Sequence, residues 1–107
     1  MAGQVHHVAV NTANFEETVQ FFKELFDMEV FKASGEAPNR KLWFRQGIQV
    51  NEAEEILPGG NRYDHIGIQV PNREEIVARA LAMGCKAVAG KPHWFITGDN
   101  LTIELMK

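Results

Sequence analysis

The chain is written twice. His7-Val8-Ala9-Val10 returns 58 positions later as His65-Ile66-Gly67-Ile68, and Asn14-Phe15-Glu16-Glu17-Thr18-Val19 returns at the same offset as Asn72-Arg73-Glu74-Glu75-Ile76-Val77. Trp43-Phe44 also recurs, at a shorter offset, as Trp94-Phe95, and each pair leads into a strand-like run, Ile48-Gln49-Val50 or Ile103-Glu104-Leu105. Self-similarity of this kind marks two tandem units of about fifty residues. Half of a 107-residue chain is too small to bury a sufficient core alone, so the units are expected to work as a pair. Equivalent residues of two such modules can serve one site.

Local signals give each module the order β-α-β-β-β. In the first, Val5 to Val10 reads as a strand, and Asn14 followed by Glu17 reads as a capping box opening a helix from Phe15 to Phe26. Phe15, Val19, Phe22 and Phe26 recur at helical spacing and predict a buried stripe. Strands follow over Met28 to Lys32, Lys41 to Phe44 and Ile48 to Asn51. Pro58-Gly59-Gly60-Asn61 is the clearest linker. The second module repeats the order: strand Asp64 to Val70, helix Arg73 to Met83, then strands over Lys86 to Val88, His93 to Ile96 and Leu101 to Met106. The expectation is one domain over 1–107, with module one at about 4–52, a linker at about 53–62 and module two at about 63–107. Its class is α+β, two βαβββ modules forming a concave, barrel-like sheet cleft.

Strand parity selects the chemistry. Side chains alternate across a strand, so His7 and Ala9 oppose Val8 and Val10, and His65 and Gly67 oppose Ile66 and Ile68. Gln49 likewise opposes Ile48 and Val50, and Glu104 opposes Ile103 and Leu105. With the aliphatic face packed under the helices, His7, Gln49, His65 and Glu104 fall on the other face, where Ala9 and Gly67 leave room. Two imidazoles, an amide oxygen and a carboxylate suit a divalent first-row metal such as Ni, Zn, Fe, Co or Mn. An amide cannot accept a proton, which leaves Glu104 as the base of the set. Taken singly, a strand histidine is more often structural and a strand glutamate more often solvated. Duplicated position and shared parity raise the metal reading above that.

The other conspicuous residues carry less. Trp43 and Trp94 read as core or cleft-wall aromatics, His6 as exposed on the opposite parity, and His93 as ambiguous. Glu52, Glu54 and Glu55 read as a solvated acidic linker. Arg40, Lys41, Arg45 and Arg62 are weak candidates for holding a substrate carboxylate or thioester tail. A net charge of −3 without a basic cluster argues against nucleic acid. The lone Cys85 excludes an internal disulfide and fits a reducing cytoplasm. No apolar stretch has membrane or signal-peptide length, so neither a membrane nor an export route is expected.

These residues resemble the vicinal oxygen chelate superfamily, the glyoxalase, bleomycin-resistance and extradiol dioxygenase group. The likeness lies in the His-Val-Ala-Val opening strand, the helix bearing Phe21-Phe22, the Asp64-His65-Ile66-Gly67-Ile68 strand and the terminal run from Gly98 to Leu105, and it spans nearly the whole chain. It implies ligands at His7, Gln49, His65 and Glu104, a small substrate chelated through neighbouring oxygens, and a homodimer with clefts at its interface. It also implies a choice of reactions. The first is a metal-dependent, glyoxalase-I-like lyase or isomerase with Glu104 carrying the proton. The alternatives are an acyl-CoA epimerase, an extradiol-type dioxygenase with a histidine, histidine, glutamate triad, and a sequestering protein of the bleomycin-resistance type. The chain is short for a glutathione-binding glyoxalase I, and Asp27 stands where many members carry glycine after the first helix.

Overall fold

The computed structural model describes residues 3–107. It is an α+β fold of eight strands and two helices, in the order βαβββ twice. The described residues group into two compact units, His7–Asp64 and residues 3–6 with His65–Lys107.

Module one contains β1 (Gln4–Thr12), α1 (Phe15–Phe26), β2 (Val30–Ser34), β3 (Lys41–Phe44) and β4 (Ile48–Glu52), with the strands ordered β2-β3-β4-β1. β1 and β4 run parallel, and β4 pairs antiparallel with β3. The helix packs Phe15, Val19 and Phe22 onto Leu42, Phe44, Ile48 and Val50, the face that strand parity assigns to the core. Phe26 departs from the expected stripe. It lies 54% exposed, because α1 ends there and the chain turns away through Asp27. Asp27 takes the left-handed cap at φ 53°, doing with an aspartate what glycine does at lower cost. The start of the helix also differs from expectation, since Asn14 makes no side-chain cap bond; its backbone N–H is held by Thr12 Oγ1 at 3.0 Å.

Phe44 is 4% exposed and stacks near Phe22 at a ring separation of 5.9 Å. Removing such a ring leaves a cavity that the sheet cannot close, so Phe44→Ala should cost about 3–5 kcal/mol in denaturant unfolding. A loss below about 1 kcal/mol would show that the site relaxes or is not core.

Glu52 corrects another expectation. Instead of joining a solvated linker it closes β4 and receives a two-pronged contact from Arg40, Nε to Oε1 at 2.8 Å and Nη2 to Oε2 at 2.7 Å. Arg40 also reaches Glu16 at 3.1 Å and lies over the Phe15 ring, so it ties β3 and β4 to α1 and is committed to structure. These hydrogen bonds hold the Glu52 carboxyl below the ordinary glutamate range. A lowered carboxyl contributes stability above its unfolded pKa and loses it as pH falls through the folded value. Glu52→Gln should therefore flatten the acid limb of a stability-against-pH curve. An unchanged acid limb would contradict this role.

Module two contains β5 (Tyr63–Gln69), α2 (Arg73–Ala82), β6 (Lys86–Val88), β7 (Lys91–Ile96) and β8 (Thr102–Met106), with the strands ordered β5-β8-β7-β6. Its core joins Val70, Ala80, Phe95, Ile103 and Leu105, with Ile66, Ile68, Ile76, Val77 and Cys85 packed against them. The helix hands over through Gly84 at φ 101°, a value that side chains with a Cβ rarely adopt. Asn72 again makes no side-chain bond to the helix backbone; its Nδ2 donates to the Glu75 carboxylate at 2.9 Å. Among the described residues no helix is long and apolar enough to cross a membrane.

Candidate metal and catalytic site

The registers of the two modules are superimposable. In module one the parallel pair sets Ala9 beside Gln49, and the antiparallel pair sets Gln49 beside Trp43. In module two Gly67 lies beside Glu104, and Glu104 beside Trp94. Paired residues of adjacent strands point to the same face, so Gln49 and Glu104 are true equivalents despite hairpins of different length. His7 stands two residues before Ala9, and His65 two before Gly67, on that face. The four candidate residues therefore occupy two matched pairs of positions, each flanked by a tryptophan.

Burial is selective. His7, Gln49 and His65 are 4%, 3% and 4% exposed, whereas His6 on the opposite parity is exposed. Buried imidazole and amide groups need hydrogen-bonding partners. In module two the structure brings His65 and Glu104 together, with Nε2 to Oε1 at 3.1 Å. The His65 ring also lies 4.6 Å from the Trp94 ring, over which the Lys91 ammonium sits at 4.3 Å. Trp94 thus fixes the ring plane of His65, and the carboxylate fixes its direction. In module one Gln49 donates its Nε2 to Asn51 Oδ1 at 2.8 Å, and Lys32 covers Trp43 at 4.9 Å. Both tryptophans are half-buried on the candidate face. His93 belongs elsewhere, facing Glu74 of α2 at 3.4 Å.

The donor chemistry fits a divalent ion. A proton is what lies between an imidazole nitrogen and a carboxylate oxygen at 3.1 Å, and a cation can take its place when both groups open slightly to coordination distance. Imidazole and carboxylate together favour a borderline first-row metal over calcium or magnesium. Parity reasoning stopped short of Asn11 and Asn51. Extending the alternation by one step, from His7 and Ala9 to Asn11 and from Gln49 to Asn51, would have found both.

The profile of the glyoxalase/bleomycin resistance protein/dioxygenase superfamily matches residues 4–98. The chain belongs to that superfamily. Over 74 residues it is 34% identical to the trivalent organoarsenical cleaving enzyme of Bacillus sp. (strain MD1), an alignment covering 67% of this chain and 44% of that protein. The chain thus spans less than half the length of that relative. Among solved structures, a methylmalonyl-CoA epimerase variant from Streptomyces coelicolor in complex with 2-nitronate-propionyl-CoA superimposes with a TM-score of 0.76 at 15% identity, covering 98% of this chain and 96% of that one. The methylmalonyl-CoA epimerase of Mycobacterium tuberculosis gives 0.67 at 14% identity, with 94% and 85% covered. At such identities the superpositions establish the glyoxalase-like fold, and the superfamily is one in which divalent metals are common.

Proposed function

We propose that this chain is a metal-dependent enzyme of the superfamily, a glyoxalase-like lyase or isomerase acting on a small substrate chelated through neighbouring oxygens. His7, Gln49, His65 and Glu104 hold one divalent ion in this reading, and Glu104 moves the proton. The observation that carries it is the contact of buried His65 with Glu104, on the face that repeats in module one with His7 and Gln49. When bound, the ion supplies Lewis acidity that polarises a substrate carbonyl. The chain supplies the rest. Glu104 takes the proton from a hydroxyl-bearing carbon beside that carbonyl, the C–H electron pair becomes a C=C bond, and the carbonyl π pair moves onto its oxygen as charge. Glu104 then gives the proton to the former carbonyl carbon, the C=C pair forming the new C–H bond, while the hydroxyl of the first carbon passes its proton to the charged oxygen and becomes the new carbonyl. Gln49 has no basic electron pair of comparable strength and serves as a neutral donor. Trp43 and Trp94 flank the donors and limit water.

The test is turnover of purified protein loaded separately with Ni, Zn, Fe, Co or Mn, on a panel of α-ketoaldehyde adducts and acyl thioesters. Turnover independent of added metal would overturn the reading. A second reading is favoured by one observation, the 34% identity to an organoarsenical cleaving enzyme. Here His7, His65 and Glu104 serve as a two-histidine, one-carboxylate triad, and the substrate is an organoarsenical. Turnover of a trivalent organoarsenical with no activity on the thioester panel would select it.

We also propose that the chain acts in the cytoplasm as a homodimer. Val30, Phe31, Phe21, Leu25 and Phe26 are exposed apolar residues of module one, and β2 and β6 are terminal strands of their modules. Light scattering at micromolar concentration should then give twice the mass of one chain, and a monomer would defeat this proposal.

A further inference from the structure

We infer that Asn11 and Asn51 are positioning residues that force Gln49 to present its carbonyl oxygen, and not its amide nitrogen, to the centre proposed above. The inference takes from that proposal only that Gln49 is a donor; the orientation itself follows from a chain of amides in module one.

The chain starts at the backbone carbonyl of Asn61, which can only accept. Asn11 Nδ2 donates to it at 2.6 Å, which settles the Asn11 amide with its oxygen directed the other way. Asn11 Oδ1 can only accept in turn, and it does so from Asn51 Nδ2 at 3.3 Å. That leaves Asn51 Oδ1 to accept from Gln49 Nε2 at 2.8 Å. Each amide is oriented by the one before it, and the last displays Oε1 on the side turned from Asn51. An amide oxygen coordinates a cation, and an NH2 group repels one, so the direction of the chain decides whether Gln49 can be a ligand at all.

The geometry is built into the sheet. Asn11 and Asn51 are cross-strand partners on parallel β1 and β4, and Asn51 follows Gln49 by two residues on the same face. The anchor is held as well. Asn11 N–H donates to Arg62 C=O at 2.7 Å, Asn61 Nδ2 donates to Glu55 C=O at 3.2 Å, and Leu57 N–H donates to Asn61 Oδ1 at 2.8 Å, so the segment after β4 fixes the carbonyl at which the chain begins.

Module two provides an internal control. The positions equivalent to Asn11 and Asn51 are Gln69 and Met106, which are likewise cross-strand partners. Gln69 donates to the Lys107 carbonyl at 3.1 Å, and Met106 cannot relay a hydrogen bond of comparable strength. The donor in that module is Glu104, whose two carboxylate oxygens are alike and need no such choice. The relay is present where the ligand is an amide and missing where it is a carboxylate.

Two readouts test this. In the metal-free protein, exchange of the Gln49 side-chain amide protons, followed by NMR, should be at least about tenfold slower than for exposed Gln20. Asn51→Leu should abolish the protection. Asn51→Asp keeps the oxygen that Gln49 donates to and should retain it, which separates loss of the relay from general damage to the sheet. In the metal-loaded protein, Asn11→Leu should weaken affinity for Co or Zn by about tenfold, the usual effect of removing an orienting partner. In a Gln49→Ala background the same change should have no further effect. Unprotected Gln49 protons in the wild type, or an Asn11→Leu effect that persists without Gln49, would overturn the inference. If the wild type binds no metal, the proposed centre fails, while the exchange experiment still reads the relay.

Discussion

Glu104→Gln should keep its metal and lose about a hundred- to ten-thousand-fold in turnover. The amide that replaces the carboxylate has an oxygen of the same reach, which can coordinate in its place. What the amide lacks is an electron pair able to take a proton at neutral pH. Removal of the base leaves polarisation and orientation in place, so kcat should fall far more than KM changes. Some loss of metal affinity accompanies the lost negative charge, and saturating metal restores occupancy without restoring rate. Near wild-type turnover at full occupancy would make Glu104 a ligand only and defeat the proton-transfer mechanism.

His65→Ala should abolish stoichiometric metal binding. His65 is buried, braced by Trp94 and in contact with Glu104, so its removal deletes one donor and releases the direction of another. A metal at a hundred times its dissociation constant stabilises a folded protein by about 2.7 kcal/mol, seen as a rise in melting temperature. The wild type should show that rise on addition of Ni or Zn. His65→Ala should show none, while its far-ultraviolet circular dichroism without metal matches the wild type. A variant with the full metal-induced rise would remove His65 from the centre.

Much of this was legible in the sequence because a duplication supplies its own alignment. The 58-residue offset of His7 and His65 fixes the two opening strands, and alternation along those strands separates His7 from Val8 without any structure. Gln49 was harder. The β2–β3 connection, Ser34 to Lys41, is longer than the β6–β7 one, Val88 to Lys91, and the β3–β4 turn, Phe44 to Ile48, is shorter than the β7–β8 turn, Ile96 to Thr102, so the offset of 58 falls to 51 at the tryptophans and stands at 55 for Gln49 and Glu104. Only the pairings of Gln49 with Ala9 and of Glu104 with Gly67 restore the equivalence.

Other features depend on contacts that no pattern announces. The Asn14 and Glu17 spacing matches a capping box, yet the Thr12 hydroxyl takes the position of partner to Asn14 N–H. Glu52 looks like the start of an acidic linker until Arg40, twelve residues earlier in sequence, is seen to grip it. Phe26 keeps the helical spacing of the buried stripe and is exposed because the helix stops under it. Periodicity reports which face a residue takes within an element. It does not report where the element ends relative to its neighbours.

The central claim is that His7, Gln49, His65 and Glu104 hold a single divalent ion. The most direct measurement is anomalous diffraction from crystals grown with nickel, recorded on both sides of the nickel absorption edge. One peak per chain should appear at about 2.0–2.2 Å from imidazole nitrogens of His7 and His65 and an oxygen of Glu104, with the Gln49 oxygen turned toward it. A peak elsewhere, or a fully occupied ion that His7 does not touch, would contradict the account.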